Sequence, residues 1–105
     1  MKEFITMTVY YFAIASEKFL LQEEPIEEIL RERMNYYKNQ CKEIDFWLVK
    51  NPGFLHLPEM SKIKNRLNTT TASIISTNPL FINWLKLRIG FVITGHFIDS
   101  QTKFL

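Results

Sequence analysis

Two places in the chain set a charge among large apolar side chains, and both suit recognition by hydrogen-bonded charge rather than bond-breaking chemistry. In the stretch from Pro79 to Ile89, Leu80, Phe81, Ile82, Trp84, Leu85, Leu87 and Ile89 are apolar, while Asn83, Lys86 and Arg88 are polar. On a helix, Asn83 and Lys86 fall about 60° apart, whereas Arg88 points about 140° from the first and about 160° from the second. An arginine off the solvent stripe needs a carboxylate or carbonyl partner, because an unpaired buried charge costs several kcal/mol. That partner is either inside the fold or on another protein. The second place is Asp45-Phe46-Trp47. Either Asp45 sits near the end of a core strand and pairs with a nearby base, Arg88 among the candidates, or the triplet forms an exposed aromatic and acidic patch that anchors an interface. Alternation sends Asp45 and Phe46 to opposite faces, so a patch holding both requires an edge or a strand end.

The usual catalytic constellations are missing. The chain has no GxGxxG, no Walker-type GK[ST] and no GxSxG, which removes phosphate cradles and the nucleophile elbow. A di-iron site in a helix bundle shows Glu-x-x-His pairs, but Gly53 stands three residues before His56 and Ile93 three before His96. Two distant histidines and one cysteine make a poor metal or Cys-His site. Asn68-Thr69-Thr70 matches a glycosylation pattern that matters only in a secretory compartment. Lys62, Lys64 and Arg66 read as the solvated face of a helix, and the aromatics of the first strand read as core rather than as a base-stacking surface.

The elements that must position these residues follow from periodicity. Met7 to Ala15 is a strand with apolar residues on both faces, so it is expected to be central and covered on both sides by helices. Pro25 to Lys42 is an amphipathic helix in which Ile26, Ile29, Leu30, Met34, Tyr37 and Cys41 recur at spacings of three and four, with Arg33 the exception in that stripe. Glu43 to Lys50 alternates as a second strand, with Ile44, Phe46 and Leu48 on one face and Asp45, Trp47 and Val49 on the other, until Asn51-Pro52-Gly53 stops it. A helix from Pro58 to Leu67, a strand from Ala72 to Ser76, a helix opened by Asn78-Pro79, and a strand from Phe91 to Phe97 after Gly90 complete the chain. The alternation predicts one α+β domain over residues 1–105, in the order β-α-β-α-β-α-β, with a sheet of about four strands packed by helices. Residues 1–6 and 100–105 are expected to be flexible ends.

Composition sets the outer bounds. The chain has 105 residues, room for one core, and 47% of them are hydrophobic with three Gly and four Pro, which excludes a disordered or low-complexity chain. A net charge of +2 is too small to serve as a nucleic-acid footprint. A single cysteine, Cys41, permits no intrachain disulfide and fits a reducing compartment. The longest apolar run, Val9 to Ala15, falls far short of the roughly 20 residues that span a bilayer, so a soluble protein is expected. The basic-then-apolar start imitates a secretory signal, but its threonines, tyrosines and β-branched residues suit a strand better.

Several long segments together carry a family resemblance. Tyr10-Tyr11-Phe12-Ala13-Ile14-Ala15-Ser16-Glu17-Lys18-Phe19-Leu20-Leu21, Glu23-Glu24-Pro25-Ile26-Glu27-Glu28, Lys42-Glu43-Ile44-Asp45-Phe46-Trp47, and Ser76-Thr77-Asn78-Pro79 through Trp84, Lys86 and Arg88 to Thr94-Gly95 are the matching stretches. They closely resemble the plastid and cyanobacterial "hypothetical chloroplast reading frame" family, called the low-chlorophyll-accumulation protein in plants. The match runs in register from about Tyr10 to Phe97. It departs at Met1 to Thr6, Ser61 to Thr71 and Ser100 to Leu105, which puts any role of the termini in doubt.

The resemblance implies a non-catalytic accessory factor of the aerobic magnesium-protoporphyrin IX monomethyl ester oxidative cyclase of chlorophyll biosynthesis. Such a factor would bind and stabilise the membrane-associated di-iron catalytic subunit and carry no cofactor or metal of its own. By the same resemblance, Asp45, Phe46 and Arg88 match positions that engage that subunit, with Phe46 as an apolar anchor, and Ala15 matches one that affects protein accumulation. The expected setting is the plastid stroma, peripheral to membranes through the partner, or the cytoplasm of a cyanobacterium. Abundant Ile, Lys, Asn and Phe, whose codons are rich in A and T, fit a plastid genome. A different class of function is a tetrapyrrole carrier that uses the aromatic-rich surface as a stacking platform. An enzyme in its own right is the third class, and the sequence supplies no site for it.

Overall fold

Strand β1, Thr8–Ser16, has apolar side chains on both faces because it lies inside the sheet and is covered on both sides. Its neighbours are β3, Thr71–Ser76, and β4, Ile93–Asp99, both antiparallel to it, and β2, Phe46–Lys50, adds antiparallel to β3. The strand order is therefore β2-β3-β1-β4, an open antiparallel sheet with β2 and β4 at the edges. Helix α1, Ile26–Asn39, joins β1 to β2, and α3, Pro79–Ile89, joins β3 to β4. This is the split β-α-β arrangement, in which each helix crosses over an intervening strand. The expected single α+β domain is present in this computed structural model, which describes residues 7–99. The ends expected to be flexible, 1–6 and 100–105, lie outside the described residues.

Alternation divides β1 between two cores. Ala13 and Ala15 join Ile26, Leu30 and Tyr37 of α1 and Phe81, Ile82, Leu85 and Ile89 of α3. Tyr10, Phe12 and Ile14 join Phe54, Leu55, Met60, Ile75 and Phe97 on the opposite side. That second face is not covered by one helix over Pro58 to Leu67. Two 3-10 turns, Gly53–His56 and Pro58–Met60, lead into a short α2, Ser61–Arg66, and the turns supply Phe54, Leu55 and Met60. Tyr10 is buried here, and burial, with the Asp99 carboxylate second, pushes its phenol above the ordinary value; a side-chain hydrogen bond with Thr8 works the other way.

Three boundaries differ from the sequence expectation for identifiable reasons. Strand β2 begins at Phe46 rather than Glu43, because its partner β3 ends opposite at Ser76 where Asn78-Pro79 opens α3. Helix α1 stops at Asn39, and Cys41 turns the chain with φ 52°. Strand β4 begins at Ile93, because Gly90, at φ 88°, caps α3 and the Lys86 ammonium donates to the carbonyls of Gly90 and Val92. Helix α3 itself has the expected bounds, with the Asn78 side chain accepting from the Leu80 N–H at 3.0 Å.

Gly95 pairs with Phe12 across β1 and β4, and a Cβ there would stand 2.6 Å from the Phe12 ring. That ring is held by Phe54 at 4.4 Å and has no room to retreat. Gly95→Ala is expected to cost about 1–3 kcal/mol, the range for overpacking a filled core. Thermal melting followed by circular dichroism measures it, and an unchanged melting temperature would show that the ring can yield.

Candidate functional site

The groove between α1 and α3 holds Arg33 and Arg88, and Arg33 links it to Tyr37, Asp45 and Phe46. Helix α1 carries Ile29, Arg33 and Tyr37 along one stripe, four residues apart. Tyr37 is buried, and its hydroxyl donates to Asp45 Oδ1 at 2.7 Å. It accepts in turn from Arg33 Nη2 at 3.0 Å and Lys42 Nζ at 3.4 Å. Lys42 also lies 3.8 Å from Asp45 Oδ2. Asp45 thus sits just before the strand end, as one of the sequence alternatives required, and its near bases are Lys42 and, through Tyr37, Arg33. Its backbone carbonyl accepts from Ser76 Oγ at 2.8 Å and the Thr77 N–H at 3.2 Å, which fixes the junction between β2 and α3.

Phe46 is 3% exposed. Its ring packs edge-on against Tyr37 and Phe81 at 5.4 and 5.5 Å. The expectation that Phe46 is an exposed apolar anchor is therefore corrected: alternation turns it into the core beneath α1 and α3, and it reaches the surface only through what it supports. What it supports is Arg33, whose guanidinium carbon lies 3.8 Å from the centroid of Phe81, 5.1 Å from Tyr37 and 5.8 Å from Phe46. Such a stack is a cation held by three aromatic rings. Among the described residues Arg33 Nε meets no hydrogen-bond acceptor.

Arg88 is exposed, although the wheel sets it off the solvent stripe; of the two places the sequence allowed for its partner, exposure argues against the inside of the fold. The wheel misplaces it because it takes every apolar residue of α3 as core. Phe81, Ile82, Leu85 and Ile89 are buried against the sheet, but Leu80, Trp84 and Leu87 are 75%, 48% and 87% exposed, and Phe91 beyond the helix is 84% exposed. Helix α3 is apolar on two faces. At 100° per residue the three exposed side chains span about 60°, with Asn83 bordering them on one side and Arg88 on the other. An apolar centre with a polar rim is the anatomy of an interface. Between α1 and α3 runs a groove of about 320 Å³ lined by Ile29, Glu32, Arg33, Phe81, Trp84 and Arg88.

The remaining candidates lie apart. Ala15 is buried in the core under α1 and α3. Lys62, Lys64 and Arg66 are exposed on α2, and Lys64 Nζ is 3.4 Å from His56 Nδ1. His96 lies against Tyr11 on β4, and Cys41 is exposed beyond α1. Among the described residues no three His, Cys, Asp or Glu side chains gather as a metal site, and no helix is long and apolar enough to cross a membrane. Sequence reasoning noticed Arg33 only as an exception in an apolar stripe, and that exception is the signal that leads to it.

Comparison with known proteins gives one consistent answer. The family described as "Ycf54 protein" matches residues 8–99. The ycf54 protein of Porphyra purpurea is 62% identical over 94 residues, covering 90% of this chain and 87% of that one. The Ycf54-like protein of Synechocystis sp. is 50% identical over 91 residues, 87% of this chain and 68% of that one. The protein named "YCF54, chloroplastic" in Arabidopsis thaliana is 38% identical over 91 residues, 86% of this chain and 42% of that one. A solved structure of a Nostoc sp. PCC 7120 protein, 52% identical, superposes with a TM-score of 0.88 over 94% of this chain and 92% of that one.

Proposed function

This chain belongs to the Ycf54 family, and from that membership we propose that it is a non-catalytic accessory factor of the magnesium-protoporphyrin IX monomethyl ester oxidative cyclase. In this role it binds and stabilises the di-iron catalytic subunit in chlorophyll biosynthesis, with no cofactor of its own. The observation that carries the proposal is the second apolar face of α3: Leu80, Trp84 and Leu87 lie exposed on a well-packed helix, rimmed by Asn83 and Arg88. Exposed apolar side chains grouped on one rigid element mark a protein contact. Relatives in a chloroplast and in a cyanobacterium support a plastid or cyanobacterial setting, and the proposal places the chain in the stroma, or in the cytoplasm of a cyanobacterium, peripheral to membranes through its partner.

The test is direct binding of the tagged protein to the purified di-iron subunit. Saturable binding that also lengthens the subunit's survival in solution supports an accessory factor. Failure to bind, joined to a visible-band shift and quenched tryptophan fluorescence when the porphyrin ester is added, would replace it with the tetrapyrrole carrier.

A further inference from the structure

We infer that Arg33 is the contact residue that Asp45 and Phe46 serve, and that Arg33 and Arg88 together clamp a carboxylate carried on an apolar segment of the protein partner. The inference rests on the proposed docking face of α3 and names the chemistry that this face receives.

Four observations lead to it. Asp45 and Phe46 converge on one group: Asp45 holds the Tyr37 hydroxyl, which accepts from Arg33, and the Phe46 ring forms part of the aromatic wall around the same guanidinium. Arg33 is pre-organised, since its stack on Phe81 and its bond to Tyr37 remove side-chain freedom before any partner arrives. Its Nε is buried and has no acceptor among the described residues, and a buried donor left unsatisfied invites one. The groove beside it carries two guanidinium groups, Arg33 and Arg88, against one carboxylate, Glu32.

Charge complementarity selects an anion, and the planar fork of arginine favours a carboxylate met through two N–H groups. The groove adjoins Leu80, Trp84 and Leu87 through Trp84, so a small free acid would leave the apolar centre in water. A protein segment with one acidic side chain among apolar ones satisfies both. Asp45 and Phe46 are then positioning residues, acting through Tyr37 and through the aromatic wall around the guanidinium.

The experiment compares affinity for the purified di-iron subunit, over a range of NaCl concentrations, for the wild type, Arg33→Met, Arg88→Met, Tyr37→Phe and Leu87→Asp, each checked for folding by its thermal melt. Arg33→Met keeps the apolar stem and removes the charge. It and Arg88→Met are each expected to weaken binding about tenfold or more and to flatten the salt dependence, as loss of a solvent-accessible charge contact at an interface does. Tyr37→Phe keeps the ring and frees the guanidinium, so weaker binding is expected, with a modest fall in melting temperature from the lost hydroxyl bonds to Asp45, Arg33 and Lys42. If Arg33→Met does not fold, Arg88→Met and the salt slope decide. Wild-type affinity and slope in both arginine variants, with binding lost in Leu87→Asp, would overturn the clamp and leave the α3 face standing. Undiminished binding by Leu87→Asp, or none by the wild type, would remove the docking face and the clamp with it.

Discussion

Phe46→Ala is expected to lower the stability of the folded chain by about 3–5 kcal/mol, the range for truncating a fully packed phenylalanine. The ring is enclosed by Tyr37 and Phe81 and closes the underside of the Arg33 stack. Its removal costs the transfer of the lost atoms, leaves a cavity at the junction of β2, α1 and α3, and takes one aromatic wall from a half-buried cation. A small domain holds a total of about 5–15 kcal/mol, so the variant is expected to lose a large part of its margin. At about 4–8 °C per kcal/mol, the melting temperature falls by more than about 12 °C. Denaturant unfolding of the purified variant measures this. A loss below about 1 kcal/mol would mean that Phe46 is not the packed residue described here, and its family-implied part in binding would then be a direct one.

Leu87→Asp is expected to do the opposite, sparing the fold and ending the partnership. The side chain is 87% exposed, so replacing it removes almost no packing. An added carboxylate in the last turn of α3 works against the helix dipole by less than about 1 kcal/mol. At a docking face the same change puts a charge into the apolar centre, where a contact residue is worth about 2 kcal/mol or more and an unpaired ion is costly to desolvate. Binding to the di-iron subunit is expected to weaken about thirtyfold or more. Wild-type affinity in a folded Leu87→Asp protein would show that α3 is not where the partner sits.

These two variants separate roles that the sequence presents side by side. Phe46 and Arg88 both stand out in sequence, one as an aromatic beside an acid and the other as a charge in an apolar helix. Alternation correctly puts Phe46 and Leu48 on the face toward α1 and α3, and Trp47 and Val49 on the other. It says nothing about whether a face is covered, because burial depends on elements distant in the chain. The helical wheel likewise ranks Arg88 by its angle from Asn83 and Lys86, and the angle is right. What fails is the premise that an apolar residue on a helix is a buried one.

Much of the fold is written locally. The two apolar faces of β1 require a central strand, since each face needs its own cover. Asn78-Pro79 and Gly90 bound α3 because a side-chain cap, a fixed φ and a positive φ act within a few residues. The sheet order β2-β3-β1-β4, the two 3-10 turns over the second core and the late start of β2 are not local. They depend on which strand ends lie opposite one another.

The candidate site divides along the same line. By itself the sequence determined the kinds of residue available for recognition: Asp45, an arginine in each of two helices, and more apolar side chains on α3 than one buried face can use. Only the tertiary structure decided that Asp45 reaches Arg33 through Tyr37, that Phe46 supports from below, and that Leu80, Trp84 and Leu87 stay in water. The physical reason is that type and spacing are properties of the chain, whereas contact and exposure are set by packing between segments far apart in it.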